Sequence, residues 1–293
     1  MTSLAPATSV SVLTPSFNQA QWLGDTIESV RAQTYPSIEH VVSDGGSTDG
    51  SLQLLSGAER PDFVWESGSD NGQSDAINKA FARSSGDVIG WLNSDDAYFT
   101  RDVVARAVQI FDAEPEVGVV YGHAARVDAD GNLLYVLWVP PGAPRLLARG
   151  YNPVRQPAVF VRRSALGRDV LVDPDFDYMM DRELWLHLSR RTRFRRLDRI
   201  LAVDRHHALR KSWARRDLRD ADRELLKERY GIPIDAPPTL LRQSVALALR
   251  VGGLMKLLDA AHGGDAIPTP RTPLAKVAAR QIGHLQRLRP GEG

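Results

Sequence analysis

Asp95 and Asp96 stand next to each other directly after the apolar run Val88-Ile89-Gly90-Trp91-Leu92 and the short step Asn93-Ser94. Adjacent carboxylates behind a buried strand are costly unless a positive group sits on them. Hard divalent cations prefer oxygen, and Mg or Mn takes one or two protein carboxylates with substrate phosphates completing the shell. The pair therefore suits a metal site. An exposed acidic turn capping the next helix is the plainer alternative. A third carboxylate, Asp44, closes Val41-Val42-Ser43 and opens Gly45-Gly46-Ser47-Thr48-Asp49-Gly50. The two glycines permit a tight turn and close approach by a ligand. Asp44 could accept a base N–H or a ribose hydroxyl, or serve only its own turn. Asp49 suits turn and helix-start chemistry better.

The elements that must position these groups alternate in type. The segments 10–13, 38–42, 63–65 and 88–92 read as strands, and 21–33 and 73–82 carry helical spacing. Ser47 is the expected N-cap of a further helix through Leu54-Leu55. Short connections imply parallel strands with right-handed crossovers. Ligands of such sheets bind outside the carboxyl ends of the strands. Thr14 and Asn18, Asp44, Asp70 and Asn71, and Asp95 and Asp96 all follow strand ends, so four loops bring them to one crevice.

Further along, 117–121 reads as a strand, and 125–127 and 133–137 flank the turn Asp128-Ala129-Asp130-Gly131-Asn132. The Asp128-Ala129-Asp130-Gly131 run lacks the later Glu of a calcium loop. Strands are expected at 158–161 and 194–203, and helices at 179–188 and 213–230. Asp217, Asp220 and Asp222 interleave with arginines as exposed helix ion pairs would. Asp173, Asp175 and Asp177 read as a solvated loop that could also meet an acceptor. Pro233, Pro237 and Pro238 mark a boundary. Beyond it, Leu240, Leu247, Val251, Leu254 and Leu258 form one face of an amphipathic helix, and a last helix is expected at 274–288.

Composition narrows the classes. The 293 residues are 43% hydrophobic and 25% charged, which excludes global disorder. With no cysteine, disulfides, zinc-thiolate sites, iron–sulfur clusters and thiol nucleophiles are excluded. No apolar run reaches the length of a membrane span, and the first residues do not resemble a secretory signal. Residues 1–150 hold nine basic against nineteen acidic side chains, and residues 151–293 hold 28 against 17. The second half could thus meet something anionic. Nucleic acid is not expected, because the arginines interleave with aspartates and no recognised motif is present.

Residues 9–100 resemble family 2 glycosyltransferases of the GT-A fold. The resemblance rests on four motifs in order: Thr14-Pro15-Ser16-Phe17-Asn18, Asp44-Gly45-Gly46-Ser47-Thr48-Asp49, Asp70-Asn71-Gly72-Gln73-Ser74-Asp75-Ala76-Ile77-Asn78-Lys79, and Trp91-Leu92-Asn93-Ser94-Asp95-Asp96. It continues more weakly to about residue 212. It implies an α/β, Rossmann-like GT-A architecture with a mostly parallel central sheet, flanking helices and a C-terminal helical extension. The expected domains are 1–232, catalytic, and 233–293, the extension.

The resemblance further implies inverting transfer of a sugar from a nucleotide diphosphate, UDP-sugar favoured, to a hydroxyl of a glycan or lipid-linked saccharide, as in polysaccharide biosynthesis. Thr14, Pro15, Ser16, Asp44, Asp75, Asn78 and Asp95 are the expected nucleotide-sugar contacts. Asp96 is the expected ligand of a Mn or Mg ion. Two departures stand out: Ser94 replaces the first acid of an Asp-x-Asp motif, and Ile77 occupies a position where members often carry Arg.

In the second half, Met179-Met180-Asp181-Arg182-Glu183-Leu184-Trp185-Leu186 resembles the family's base-bearing segment, with Met180 replacing an acid. Asp181 is the expected general base. Glu183 is the runner-up, and a helix-capping role for Asp181 is the alternative. Gln156 could bind sugar or phosphate on the acceptor side, or simply end a strand. His207, in Arg205-His206-His207, could join the metal shell, touch the diphosphate, or be plain surface. The expected location is the cytoplasm, and the basic-flanked tail helix could rest on the inner membrane face. A non-catalytic nucleotide-sugar-binding protein on the same fold is the main rival.

Overall fold

All seven residues of β1 (Val10–Ser16) are buried, as a strand covered on both faces requires. A computed structural model describes residues 7–208 and 216–232. Within it β1 pairs in parallel with β2 (Ile38–Asp44) on one side and β4 (Val88–Trp91) on the other. β3 (Phe63–Ser67) extends β2 in parallel. Helices α1 (Ala20–Arg31), α2 (Ser51–Gly57) and α3 (Gln73–Arg83) provide the crossovers. The alternating first third thus folds as its pattern demands.

Beyond β4 the sheet becomes mixed. After the two-residue β5 (Ala97–Tyr98) and helix α4 (Val103–Ala113) comes the long β6 (Val117–Val127). One edge of β6 pairs antiparallel with β8 (Val159–Arg162) and then with β7 (Leu133–Leu137). Its other edge runs parallel to β9 (Arg193–Arg205). The order is β3-β2-β1-β4-β8-β6-β9-β5. The segments 117–121 and 125–127 are therefore one strand. The Asp128–Asn132 turn is a hairpin as expected, with the Asp128 carboxylate accepting the Asn132 N–H at 2.8 Å.

Alternation along the strands divides the core. Leu13, Ile89 and Val161 face α3 and helix α7 (Met180–Ser189), where Ile77, Phe81, Leu184 and Trp185 pack. Val10, Val12 and Val88 face α4, against Val104, Val108 and Phe111. Two short helices, α5 (Ala143–Leu147) and α6 (Arg163–Leu166), line the connections on either side of β8. Helix α8 (Arg216–Tyr230) closes the described chain.

Two local expectations are corrected. The helix after β2 begins at Ser51 with Gly50 at its N-cap, not at Ser47. Ser47 is instead drawn into the Asp44 turn, where a carboxylate gives its hydroxyl a stronger partner than a helix N–H does. Asp222 is not an exposed ion-pairing residue. It is buried, and its Oδ2 accepts the N–H groups of Tyr178 and Met179, both at 2.7 Å. A carboxylate from α8 thus satisfies donors at the start of α7. The expected tail helices beyond Pro233 lie outside the described residues. Among the described residues, no helix is long and apolar enough to cross a membrane.

Candidate functional site

The carboxyl ends of β1 and β2 are clasped. Asn18, with φ at 52°, donates its N–H to Ser47 Oγ at 2.7 Å and accepts the Thr48 N–H at 2.8 Å. Asp49 accepts the Ala20 N–H at 2.8 Å and the Ser51 hydroxyl at 2.6 Å. Burial alone would raise the Asp49 carboxyl; the hydrogen bonds from Ser51 and Ala20 outweigh it and hold the group below its ordinary range.

Inside this clasp Asp44 is 1% exposed. Its Oδ2 accepts the Ser47 N–H at 2.8 Å and the Ser67 hydroxyl at 2.7 Å, and its Oδ1 accepts the Ser47 hydroxyl at 2.5 Å. The carboxylate is held in a single orientation. A small cavity opens beside it, lined by Ser43, Ser67, Gly68, Lys79 and Arg83. Gly45 is the close-approach position: a Cβ there would stand 2.7 Å from Asp70 Oδ2 and 3.2 Å from the Phe17 ring. Phe17 itself is 58% exposed, an apolar ring on the lip of the crevice.

Not every expected nucleotide contact lies here. The Thr14 hydroxyl is buried and meets His40 Nε2 at 2.9 Å, because alternation on β1 turns it beneath the sheet edge. Burial pushes His40 down to about 3, so its ring is neutral. Ser16 is buried with its hydroxyl unpartnered, and Pro15 is buried between them. Asn78 is corrected: its amide donates to Val172 O at 2.9 Å and accepts the N–H groups of Leu171 and Val172 at 3.1 Å. That side chain clamps the 171–172 segment onto α3. Ile77 is core. Asp75 accepts the Asn71 N–H at 2.9 Å and faces Lys79 at 3.1 Å. The backbone bond from Asn71, with help from Lys79, holds its carboxyl below the ordinary range.

The second group gathers after β4. Asp96 is 1% exposed, and its Oδ1 accepts the Arg205 backbone N–H at 3.1 Å. Its own carbonyl accepts the Thr26 hydroxyl at 2.7 Å. Asp95 Oδ2 lies 2.8 Å from His207 Nε2. The His207 ring lies against Trp22, centroids 3.9 Å apart and planes tilted by 35°, and its Nδ1 is buried without a partner. Asn93 is the hub. It accepts from Trp91 Nε1 at 2.9 Å and Gln73 Nε2 at 3.0 Å, and it donates to Gln156 Oε1 at 2.9 Å. Gln156 in turn donates to Trp91 O at 2.5 Å. Its amide is thus committed to the strand end, which is the positioning alternative rather than direct ligand binding.

Arg205 completes this group; its segment Arg205-His206-His207 is marked in the sequence, but only His207 is expected at the site. Its guanidinium donates to Asp95 O at 3.0 Å, Ala129 O at 3.1 Å and Asp25 Oδ2 at 2.9 Å. Trp22 Nε1 also donates to Ala129 O, at 3.0 Å. The 128–132 hairpin is therefore tied to the acidic turn by residues remote in sequence.

Asp181 stands in the first turn of α7, half-buried, and accepts the Arg182 N–H at 2.7 Å. Burial pushes its carboxyl above the ordinary range, against the opposing bond from Arg182 and the positive charges of Arg182 and Arg155. It does not cap the helix; Met179 holds that position. Glu183 is corrected. It is 1% exposed, and both its oxygens are gripped by Arg168, at 3.1 and 2.9 Å, with the Tyr230 hydroxyl at 2.6 Å. Two residues along a helix turn the side chain about 200° away from that of Asp181, into the interior. Asp173 and Asp175 are engaged by Arg229, the latter at 2.7 Å.

Among the described residues, no three acidic, imidazole or thiol groups form a metal cluster. The donors after β4 still suit a hard cation. They are carboxylate oxygens, which Mg or Mn uses one or two at a time, and the orphaned imidazole nitrogen of His207 lies behind them.

Comparison with known proteins gives a consistent picture. Residues 11–163 match the model of glycosyl transferase family 2. An uncharacterized glycosyltransferase of Mycobacterium tuberculosis is 36% identical over 187 residues, covering 64% of this chain and 71% of the relative. A putative teichuronic acid biosynthesis glycosyltransferase of Bacillus subtilis is 37% identical over 92 residues, 30% of this chain and 36% of that one. Two solved structures share the fold. Staphylococcus aureus TarS in complex with UDP-GlcNAc has a TM-score of 0.57 at 14% identity, covering 95% of this chain and 72% of that one. The mannosyltransferase PcManGT of Pyrobaculum calidifontis, in complex with GDP-Man and Mn2+, also has a TM-score of 0.57, at 19% identity, covering 97% and 81%.

Proposed function

The chain belongs to glycosyl transferase family 2, and from that premise we propose an inverting, metal-dependent hexosyltransferase that uses a nucleotide diphosphate sugar, UDP-sugar favoured. The acceptor is a hydroxyl of a glycan or lipid-linked saccharide in polysaccharide biosynthesis. One observation supports the reading: Asp44 ends β2 and Asp95–Asp96 follow β4, the two strands that flank β1 in parallel, so both hydrogen-bonded acidic turns stand at the same edge of the sheet.

The base sits against Asp44 with Phe17 over it, and the ribose meets Asp95. Asp96, with Asp95, would hold the cation; His207 orients Asp95 from behind, as outer partners of metal ligands do. When bound by these residues, a divalent cation would supply positive charge to the departing diphosphate. Asp181 accepts the proton of the acceptor hydroxyl as that oxygen bonds to the anomeric carbon. The bond from the anomeric carbon to the phosphate oxygen breaks, and its electron pair leaves with the nucleoside diphosphate. A carboxylate whose proton affinity is raised by burial is the better base. Residues 1–232 are the catalytic domain and 233–293 an extension, working in the cytoplasm or against the inner membrane face.

A thermal-shift screen of UDP, GDP, dTDP and CDP with and without Mn2+ tests the donor side. UDP is expected to give the largest shift, enhanced by Mn2+, with the enhancement lost in Asp96→Ala. The related structures with UDP-GlcNAc and with GDP-Man and Mn2+ make both bases worth testing. Nucleotide binding without turnover against any acceptor would instead favour the non-catalytic binding protein.

A further inference from the structure

Arg155 lies immediately before Gln156, the residue that fastens the Asn93 hub. Its guanidinium makes no hydrogen bond and no ion pair with any described residue, and its Nε is sealed from solvent. Neighbouring arginines are used differently. Arg205 makes three side-chain hydrogen bonds, Arg168 grips Glu183, and Arg126 pairs with Asp204 at 2.7 Å. A guanidinium carries five N–H donors, and leaving it desolvated and unpaired is costly. Such a group, one residue from the Gln156 that fastens the Asn93 turn, lacks the partner that an anion arriving from outside would supply.

The surroundings say which partner. Asp181, Asp204, Arg126, Tyr135 and Tyr151 lie within charge–charge reach of Arg155. Asp204 is already committed to Arg126, and Asp181 carries Arg182 beside it. Three guanidiniums, those of Arg155, Arg126 and Arg182, thus meet two carboxylates. Among these described groups the cations outnumber the carboxylates, and Arg155 is the one that makes no hydrogen bond. The elements that carry these groups, β6, β7, β9 and α7, lie beyond β4. The Asp44 cavity opens at β2 and β3 instead.

We propose that Arg155 anchors an anionic substituent, a carboxylate or a phosphate, on the acceptor saccharide, and so selects acidic acceptors. The planar fork of a guanidinium suits both groups through paired N–H···O bonds. The assignment rests on the glycosyltransferase reading of the same crevice. It adds the chemical class of the acceptor and the residue that reads it.

The test uses full-length protein with the nucleotide site saturated by UDP and Mn2+. The probes are p-nitrophenyl β-glucuronide and p-nitrophenyl phosphate, with p-nitrophenyl β-glucoside as the neutral control. The expected result is an added rise in melting temperature with at least one anionic probe and none with the glucoside. Whichever anionic probe acts identifies carboxylate or phosphate. Arg155→Met and Arg155→Gln lose this rise yet keep the UDP shift, which also reports that they are folded; Arg155→Lys retains part of it.

The proposal is overturned if the glucoside acts as well as the anions, or if neither anion acts. It is also overturned if the rise survives in both neutral variants. Anions that act only when UDP is absent would place them in the diphosphate site and overturn it as well. Wild-type protein that ignores every nucleotide but still answers to an anion through Arg155 would remove the donor reading and leave the anion site standing.

Discussion

Asp95 Oδ2 and His207 Nε2 lie 2.8 Å apart across 112 residues of sequence. The contact joins the end of β4 to the segment after β9, and the Arg205 backbone N–H bonds Asp96 in the same place. The acidic turn is therefore clamped from the far side of the sheet, and rotation of either carboxylate would break a bond.

Removing the imidazole should loosen Asp95 without unfolding the chain. His207→Ala is expected to weaken Mn2+-dependent nucleotide binding by roughly ten- to a hundred-fold, the usual range for an outer partner of a metal ligand. His207→Gln, whose amide can still donate to Asp95, should recover part of it. Isothermal titration with UDP at fixed Mn2+ reads the difference, and equal affinity in all three proteins would sink the role.

Asp181→Asn should lower turnover by about 10²- to 10⁴-fold, the range for a general base, while the UDP shift stays intact. Its effect on stability has the opposite sign. Because burial raises the Asp181 carboxyl in the folded state, the folded chain holds that proton more tightly than the unfolded one. The stability this contributes is complete below the ordinary aspartate range and is lost as pH rises through the raised value. Asp181→Asn should therefore melt higher than wild type at pH 7 to 8, with the gain vanishing towards pH 3. Melting curves across pH measure it.

Phe17→Ala should cost nucleotide affinity with little change in the melting temperature of the free protein, because the ring is already 58% exposed. Loss of one stacking face is worth about 1 kcal/mol, roughly a five-fold rise in Kd. Competition binding with UDP checks it.

Arg168→Met addresses the corrected Glu183. The variant leaves a carboxylate 1% exposed without its cation, which costs about 3 kcal/mol. Chemical denaturation should show that loss. If Glu183 has no contact with substrate, Kd for UDP in the surviving folded protein should match wild type.

Sequence by itself determined the alternating first third. Short strand segments of three to five residues between helical spacings admit one economical packing, parallel strands with the polar residues at their carboxyl ends. The placement of Asp44, Asp95 and Asp96 at strand ends was legible for that reason, and the role proposed for Asp181 comes from the motif around it. What only the tertiary structure decided are the partners. Asn78 and Glu183 have the residue types of a binding site, yet each is closer to a buried donor or cation than to the crevice, so folding consumes them. Thr14 faces inward because alternation on β1 puts it over His40. Arg205, His207 and Arg155 gain their roles from β6, β8 and β9 lying side by side, a juxtaposition set by long-range strand pairing. Such pairing leaves no periodic trace near any of the three, whereas local hydrogen bonding and hydrophobic spacing do leave one for β1 to β4.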